Sequence, residues 1–85
     1  MDPKAVMKER WQSYLKEAGL KSTRQRRALF DCFVDVDGHV SLDDMLQRVH
    51  EMVPGLGYAT VYRTMKLFVQ AGIAEAMVCD VNTRF

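Results

Sequence analysis

The chain has 85 residues, 48% hydrophobic and 27% charged, with a formal net charge of +1. That length and apolar fraction describe one small globular domain and exclude a disordered or low-complexity chain. Its 2 cysteines, Cys32 and Cys79, stand in no paired spacing, which excludes a disulfide framework and a Cys-based zinc site. No 18-residue apolar run supplies a membrane span, and the charged N-terminal MDPKAVMKER has no signal-peptide core, so a cytoplasmic setting is expected.

The charge is unevenly spread. Residues 1–34 hold four Lys and four Arg against four acids, whereas residues 35–58 hold five acids and one Arg. A basic N-terminal part can mark a surface that meets a polyanion; solvated helix faces give the same pattern.

Asp2-Pro3 reads as N-cap and first helical residue, and Val6, Met7, Trp11, Tyr14, Leu15 and Ala18 follow at helical spacing before Gly19. A first helix is therefore predicted over 3–18. Thr23 can cap a second, predicted over 23–36, whose stripe is Ala28, Leu29, Cys32, Phe33 and Val36. Arg24, Arg26 and Arg27 crowd its first turns and oppose the helix dipole, a placement more easily tolerated when an anion sits nearby. Ser41 and Asp44 have the capping-box spacing ahead of Leu42, Met45, Leu46 and Val49, which predicts a third helix over 41–52. Pro54-Gly55-Leu56-Gly57 breaks the chain, and a fourth helix is predicted over 58–71 with Gly72 as its stop. Beyond it, strands are predicted at 73–79 and 83–85. The short return strand suggests a hairpin cut short.

Four helices followed by a hairpin is the order of a winged helix-turn-helix with an extra N-terminal helix, so the expected fold class is mostly α with a small β-hairpin. The fourth helix has two faces. Val61, Met65, Phe68 and Gly72 fall on one, and Ala59, Tyr62, Arg63, Lys66 and Gln70 on the other. The second set suits a DNA major groove: Arg bonds two guanine acceptors, an aromatic ring or methyl lies against a thymine methyl, and Lys reaches phosphate. Tyr62 packed on the third helix and Arg63 paired with a carboxylate of the acidic middle is the competing reading.

Three stretches carry a resemblance. Gly19-Leu20-Lys21-Ser22-Thr23-Arg24-Gln25-Arg26, Gly38-His39-Val40-Ser41-Leu42-Asp43-Asp44 and Gly57-Tyr58-Ala59-Thr60-Val61-Tyr62-Arg63-Thr64-Met65 resemble, in order and spacing, blocks of the ferric uptake regulator family. With Leu67-Phe68 and Ala71-Gly72-Ile73 they cover about residues 15–75. Arg24 and Gln25 depart from the family's more usual apolar-Pro pair, and the extra Arg should raise nonspecific phosphate affinity.

The resemblance implies a metal-responsive bacterial transcription repressor whose DNA-reading domain is residues 1–85, with a C-terminal dimerisation and metal domain lying outside this chain. It implies base contacts by Tyr62 and Arg63, with Ala59 and Thr60 beside them and Lys66 on the same face. It places Lys21 in an A·T-rich minor groove, where a narrow groove concentrates negative potential. Thr23, Arg24 and Arg26 complete the expected DNA-binding set. A structural ion pair between Arg26 and an acid such as Asp44 is the alternative for Arg26.

By family position His39 resembles a single N-terminal contributor to the regulatory metal site; an ordinary turn histidine is the alternative. His50 reads as a surface or helix-end residue, and the cysteines as small buried or incidental thiols. No cofactor is expected in this segment, and a divalent metal (Fe2+ as regulator, with Zn2+ a candidate) in the whole protein. The expected partners are a double-stranded A·T-rich inverted-repeat operator and a second copy of the protein, with no membrane. No nucleophile elbow, phosphate-binding loop or HExxH supports an enzyme. Iron-uptake regulation is the leading reading. Zinc, manganese, nickel or peroxide sensing within the family, and a protein-docking winged helix that does not touch DNA, are the alternatives.

Overall fold

A computed structural model of the chain describes residues 2–36, 38–75, 77–79 and 82–84, the last two stretches by their backbone alone. Four helices make up most of it: α1 Pro3–Ala18, α2 Arg24–Val34, α3 Leu42–His50 and α4 Tyr58–Gln70.

Local chemistry sets most of their ends. The Asp2 carboxylate accepts from the Lys4 amide at 3.1 Å, the Thr23 hydroxyl from Arg26 at 3.2 Å and the Ser41 hydroxyl from Asp44 at 3.1 Å, satisfying N–H groups that lack a helical partner. Gly19, at φ 69°, closes α1 in the left-handed region that glycine reaches without strain.

α1 has its predicted span, whereas α2, α3 and α4 are shorter than theirs. Thr23 and Ser41 have extended backbones as caps and stand outside α2 and α3. α2 stops at Val34 because the Val36 N–H bonds Phe33 in a tightened last turn. α3 stops at His50 because the Met52 and Val53 amides both return to the Val49 carbonyl.

The predicted strand at 73–79 is corrected at its start. Ile73 and Ala74 both donate to the Phe68 carbonyl, at 3.0 and 3.3 Å, so their backbones are spent on closing α4. Gly72, expected on the core face of the fourth helix, lies past its end at φ 79° and is exposed. Strand residues begin at Met77. Segments β1 Met77–Cys79 and β2 Asn82–Arg84 run antiparallel, with Val78 opposite Thr83. The predicted end of the return strand, Phe85, lies outside the described residues.

α2, α3 and α4 pack on one another around Leu29, Met45, Val49, Val61, Met65 and Phe68, all fully buried. α1 closes a further side. Its Trp11 meets Phe68 edge-on at 4.7 Å between ring centroids and lies parallel to Phe30 at 6.4 Å. Phe30 therefore belongs to the core although it falls off the stripe expected for the second helix. Aromatic edge-to-face pairs of this kind add about 0.5–1.5 kcal/mol beyond their area burial.

Candidate nucleic-acid interface

α4 turns Val61, Thr64, Met65 and Phe68 inward and leaves Ala59, Tyr62, Arg63, Lys66 and Gln70 exposed. Tyr62 keeps 40% of its surface accessible, so part of the ring faces solvent. Lys66 Nζ stands 5.2 Å from the centroid of the Tyr62 ring, one turn away on the same helix. At an exposed site that contact is worth about 0.5–1 kcal/mol, enough to bias the ring's orientation and little more.

The N-terminal turn of α2 faces this helix across an open groove of about 570 Å³. Thr23, Gln25 and Arg26 line one wall, and Thr60, Arg63 and Lys66 the other. The fold thus brings together five of the nine residues of the expected DNA-binding set, with Gln70 beside them. Ala59 and Tyr62 lie on the same face of α4 outside the groove lining, while Lys21 and Arg24 are exposed beside the α2 end.

Arg26 does not pair with Asp44. Its Nη1 donates to the Lys21 carbonyl at 2.7 Å, and Arg27 Nη1 donates to the Ser22 carbonyl at 2.6 Å. Two guanidinium groups of α2 thereby fix the two loop residues before its cap. Among the described residues the one ion pair is Lys4–Asp35 at 2.6 Å, which ties the start of α1 to the end of α2 and raises the Lys4 pKa through that hydrogen bond. Arg24, Arg63 and Lys66 thus leave their charge unneutralised by any carboxylate there.

Three contacts escaped the sequence reading. Arg27 serves the loop; Gln70, placed on the DNA-facing side, accepts from the Tyr14 hydroxyl of α1 at 2.6 Å; and His50 reaches the Leu56 carbonyl at 2.8 Å. Each joins residues through tertiary geometry or a loop shape, for which no local sequence signal exists.

His39 is exposed, and no three or more His, Cys, Asp or Glu side chains among the described residues are grouped to hold a metal ion. The residues described do not by themselves fit a zinc or iron centre, which needs three or more ligands. Cys32 is half-buried with Sγ 3.5 Å from Met52 Sδ; burial, followed by the nearby Asp31 carboxylate, pushes its thiol pKa up. That is the reverse of what a reactive redox thiol needs. No helix among the described residues is long and apolar enough to cross a membrane.

The helices α3 and α4, the tight turn between them and the cationic exposed face of α4 define a protein of the winged helix-turn-helix class. The family profile described as the ferric uptake regulator family matches residues 17–85. The chain is 37% identical over 71 residues to the ferric uptake regulation proteins of Staphylococcus aureus and Staphylococcus epidermidis, covering 84% of itself and 52% and 51% of them. Among solved structures it superposes on a manganese uptake regulator with a TM-score of 0.73 at 29% identity, covering 87% of this chain and 55% of that one. PerR from Streptococcus pyogenes shares the fold, with a TM-score of 0.75 at 24% identity over 86% of this chain and 51% of that one.

The chain belongs to the ferric uptake regulator family, and its residues correspond to a DNA-binding regulatory domain of that family. It spans about half the length of the curated relatives it matches.

Proposed function

We propose that this domain reads a double-stranded, A·T-rich inverted-repeat operator for a cytoplasmic, iron-responsive transcriptional repressor. The observation that carries the reading is the groove in which the N-terminal turn of α2 and the exposed face of α4 converge, with Arg63 and Lys66 along it paired with no carboxylate among the described residues. α4 lies in the major groove. Arg63 bonds a guanine edge, and Tyr62, its ring steadied by Lys66, lies against a thymine methyl. Ala59 and Thr60 pack close to the bases and backbone. Lys21 enters the flanking minor groove, and Thr23 and Arg24 contact phosphates. Arg26 holds Lys21 in place and offers its remaining N–H groups to the backbone. The paired segments β1 and β2 are the wing, flanking the duplex.

Iron as the signal rests on 37% identity to ferric uptake regulation proteins. A manganese-responsive member is the second reading, favoured by the 29% identity and shared fold with a manganese uptake regulator. In either case the regulatory Fe2+ or other divalent metal, any Zn2+, and the homodimer contacts belong to a C-terminal domain outside these residues, with His39 a single contributor from this side.

Fluorescence anisotropy with an A·T-rich inverted repeat and a shuffled duplex of equal composition, across a salt series, tests the reading. Preference for the repeat, with a slope of about −0.9 per neutralised phosphate, supports it. Equal binding to both duplexes refutes sequence readout by this domain. Salt-insensitive behaviour points to protein docking instead.

A further inference from the structure

We propose that His50 is a positioning residue for the recognition helix, acting through its hydrogen bond to the Leu56 carbonyl; the claim rests on the DNA reading given above for α4. His50 is the last residue of α3, and Leu56 directly precedes Gly57, the N-cap of α4. The 2.8 Å bond, partly buried, therefore spans the whole turn of the helix-turn-helix.

The rest of the turn shows why one bond matters here. Gly57 supplies no side-chain cap, so the start of α4 lacks the side-chain hydrogen bond that Thr23 gives α2 and Ser41 gives α3. The Leu56 side chain is buried at 3% exposure and its amide donates to the Val53 carbonyl at 3.2 Å. Val53 in turn donates to Val49 of α3 at 2.7 Å. With its amide and side chain held on one side, the Leu56–Gly57 peptide plane is set by where the Leu56 carbonyl points, and the His50 ring holds that carbonyl. The plane aims the first turn of α4, which carries Ala59, Thr60, Tyr62 and Arg63 onto the duplex. A carbonyl only accepts, so the Nε2 atom of His50 must carry the proton, in the neutral as in the charged ring.

Three measurements on the chain test this. Long-range nitrogen–proton NMR on the neutral wild-type ring is expected to show the Nε2–H tautomer; an Nδ1–H tautomer overturns the bond. His50→Phe keeps a ring but no donor, and His50→Gln places an amide donor at nearly the same reach. His50→Phe is expected to lose at least about fivefold in discrimination between repeat and shuffled duplexes, the lower end of what a lost base contact costs. Its affinity for the shuffled duplex and its salt slope stay at wild-type values. In His50→Phe the Leu56 and Val61 amides, the turn's own bond and the first of α4, are expected to exchange faster than in wild type, while those in the middle of α1 keep their wild-type rates. His50→Gln restores both discrimination and protection.

Wild-type discrimination in His50→Phe, or an equal loss on both duplexes, overturns the positioning role. So does a failure of His50→Gln to restore. Where His50→Phe does not fold, the wild-type tautomer and the protection of Val61 in His50→Gln decide. A wild-type chain that prefers neither duplex overturns the role in readout; tautomer and exchange results as expected would then place the failure in the DNA reading and not in the bond.

Discussion

Arg26 Nη1 donates to the main-chain carbonyl of Lys21 at 2.7 Å, across the loop that leads into α2. The expected DNA contact at Lys21 and the expected contact at Arg26 are therefore one mechanical unit. An arginine placed against the dipole at a helix start is accommodated because its charge reaches back to a carbonyl of the preceding loop, with Arg27 doing the same for Ser22.

This makes the two nearby arginines separable. Arg26→Ala should lower stability by about 1.5–3 kcal/mol, the usual worth of a hydrogen bond to a charged group. It should also weaken the preference for A·T-rich flanks, because Lys21 is released. Arg24→Ala, at an exposed side chain, should leave stability within about 0.5 kcal/mol and reduce the salt slope by about 0.9. Urea denaturation and anisotropy on the two variants check both halves.

Arg63→Ala should cost on the order of 1–3 kcal/mol in operator binding and relax discrimination at one base pair. Binding to a set of duplexes with single base-pair changes measures it. A uniform loss on all of them would make Arg63 a phosphate contact.

Trp11 ties α1 to both α2 and α4 through Phe30 and Phe68. Trp11→Ala should destabilise by about 3–5 kcal/mol, since the ring leaves a cavity at the junction of three helices. Equilibrium urea unfolding would show it as a lower midpoint.

Burial, then the Asp31 carboxylate, raises the Cys32 pKa, so the folded chain holds the thiol proton to higher pH than the unfolded chain. Where the unfolded chain has released that proton and the folded chain has not, unfolding gains. Stability should therefore fall as pH rises through the ordinary thiol range and level off above the raised folded value. Comparing Cys32→Ala with wild type in urea across that range isolates the effect. Alkylation of Cys32 near neutral pH should be slower than that of a free thiol.

Isothermal titration of these 85 residues with zinc should show no sub-micromolar site. The described residues group no three ligand side chains, and one imidazole at His39 leaves most of the ion's coordination to water.

The helix caps were legible because they are local. Thr23 and Ser41 each meet an amide three residues on, so residue type and spacing alone specify the contact. The two faces of α4 were legible for the same reason, since helical period sorts Val61 and Met65 from Tyr62 and Arg63. Phe30 was not, because a one-sided stripe assumes one covering neighbour, and α1 covers α2 from another side. Nor was the start of the strand, because the apolar run at Ile73 and Ala74 looks extended until Phe68 captures both amides.

The amino-acid order by itself determined the four helices, the cationic face of α4 and the family, all properties of spacing along the chain. The tertiary structure decided how those pieces meet. It set Thr23 and Arg26 across a groove from Arg63, spent Arg26 on Lys21 instead of Asp44, and joined His50 to Leu56. Arginine and histidine side chains have several carboxylates and carbonyls within their reach in sequence. Which one each takes depends on where the packed helices leave the chain ends that lead into them, and that is a property of the folded chain.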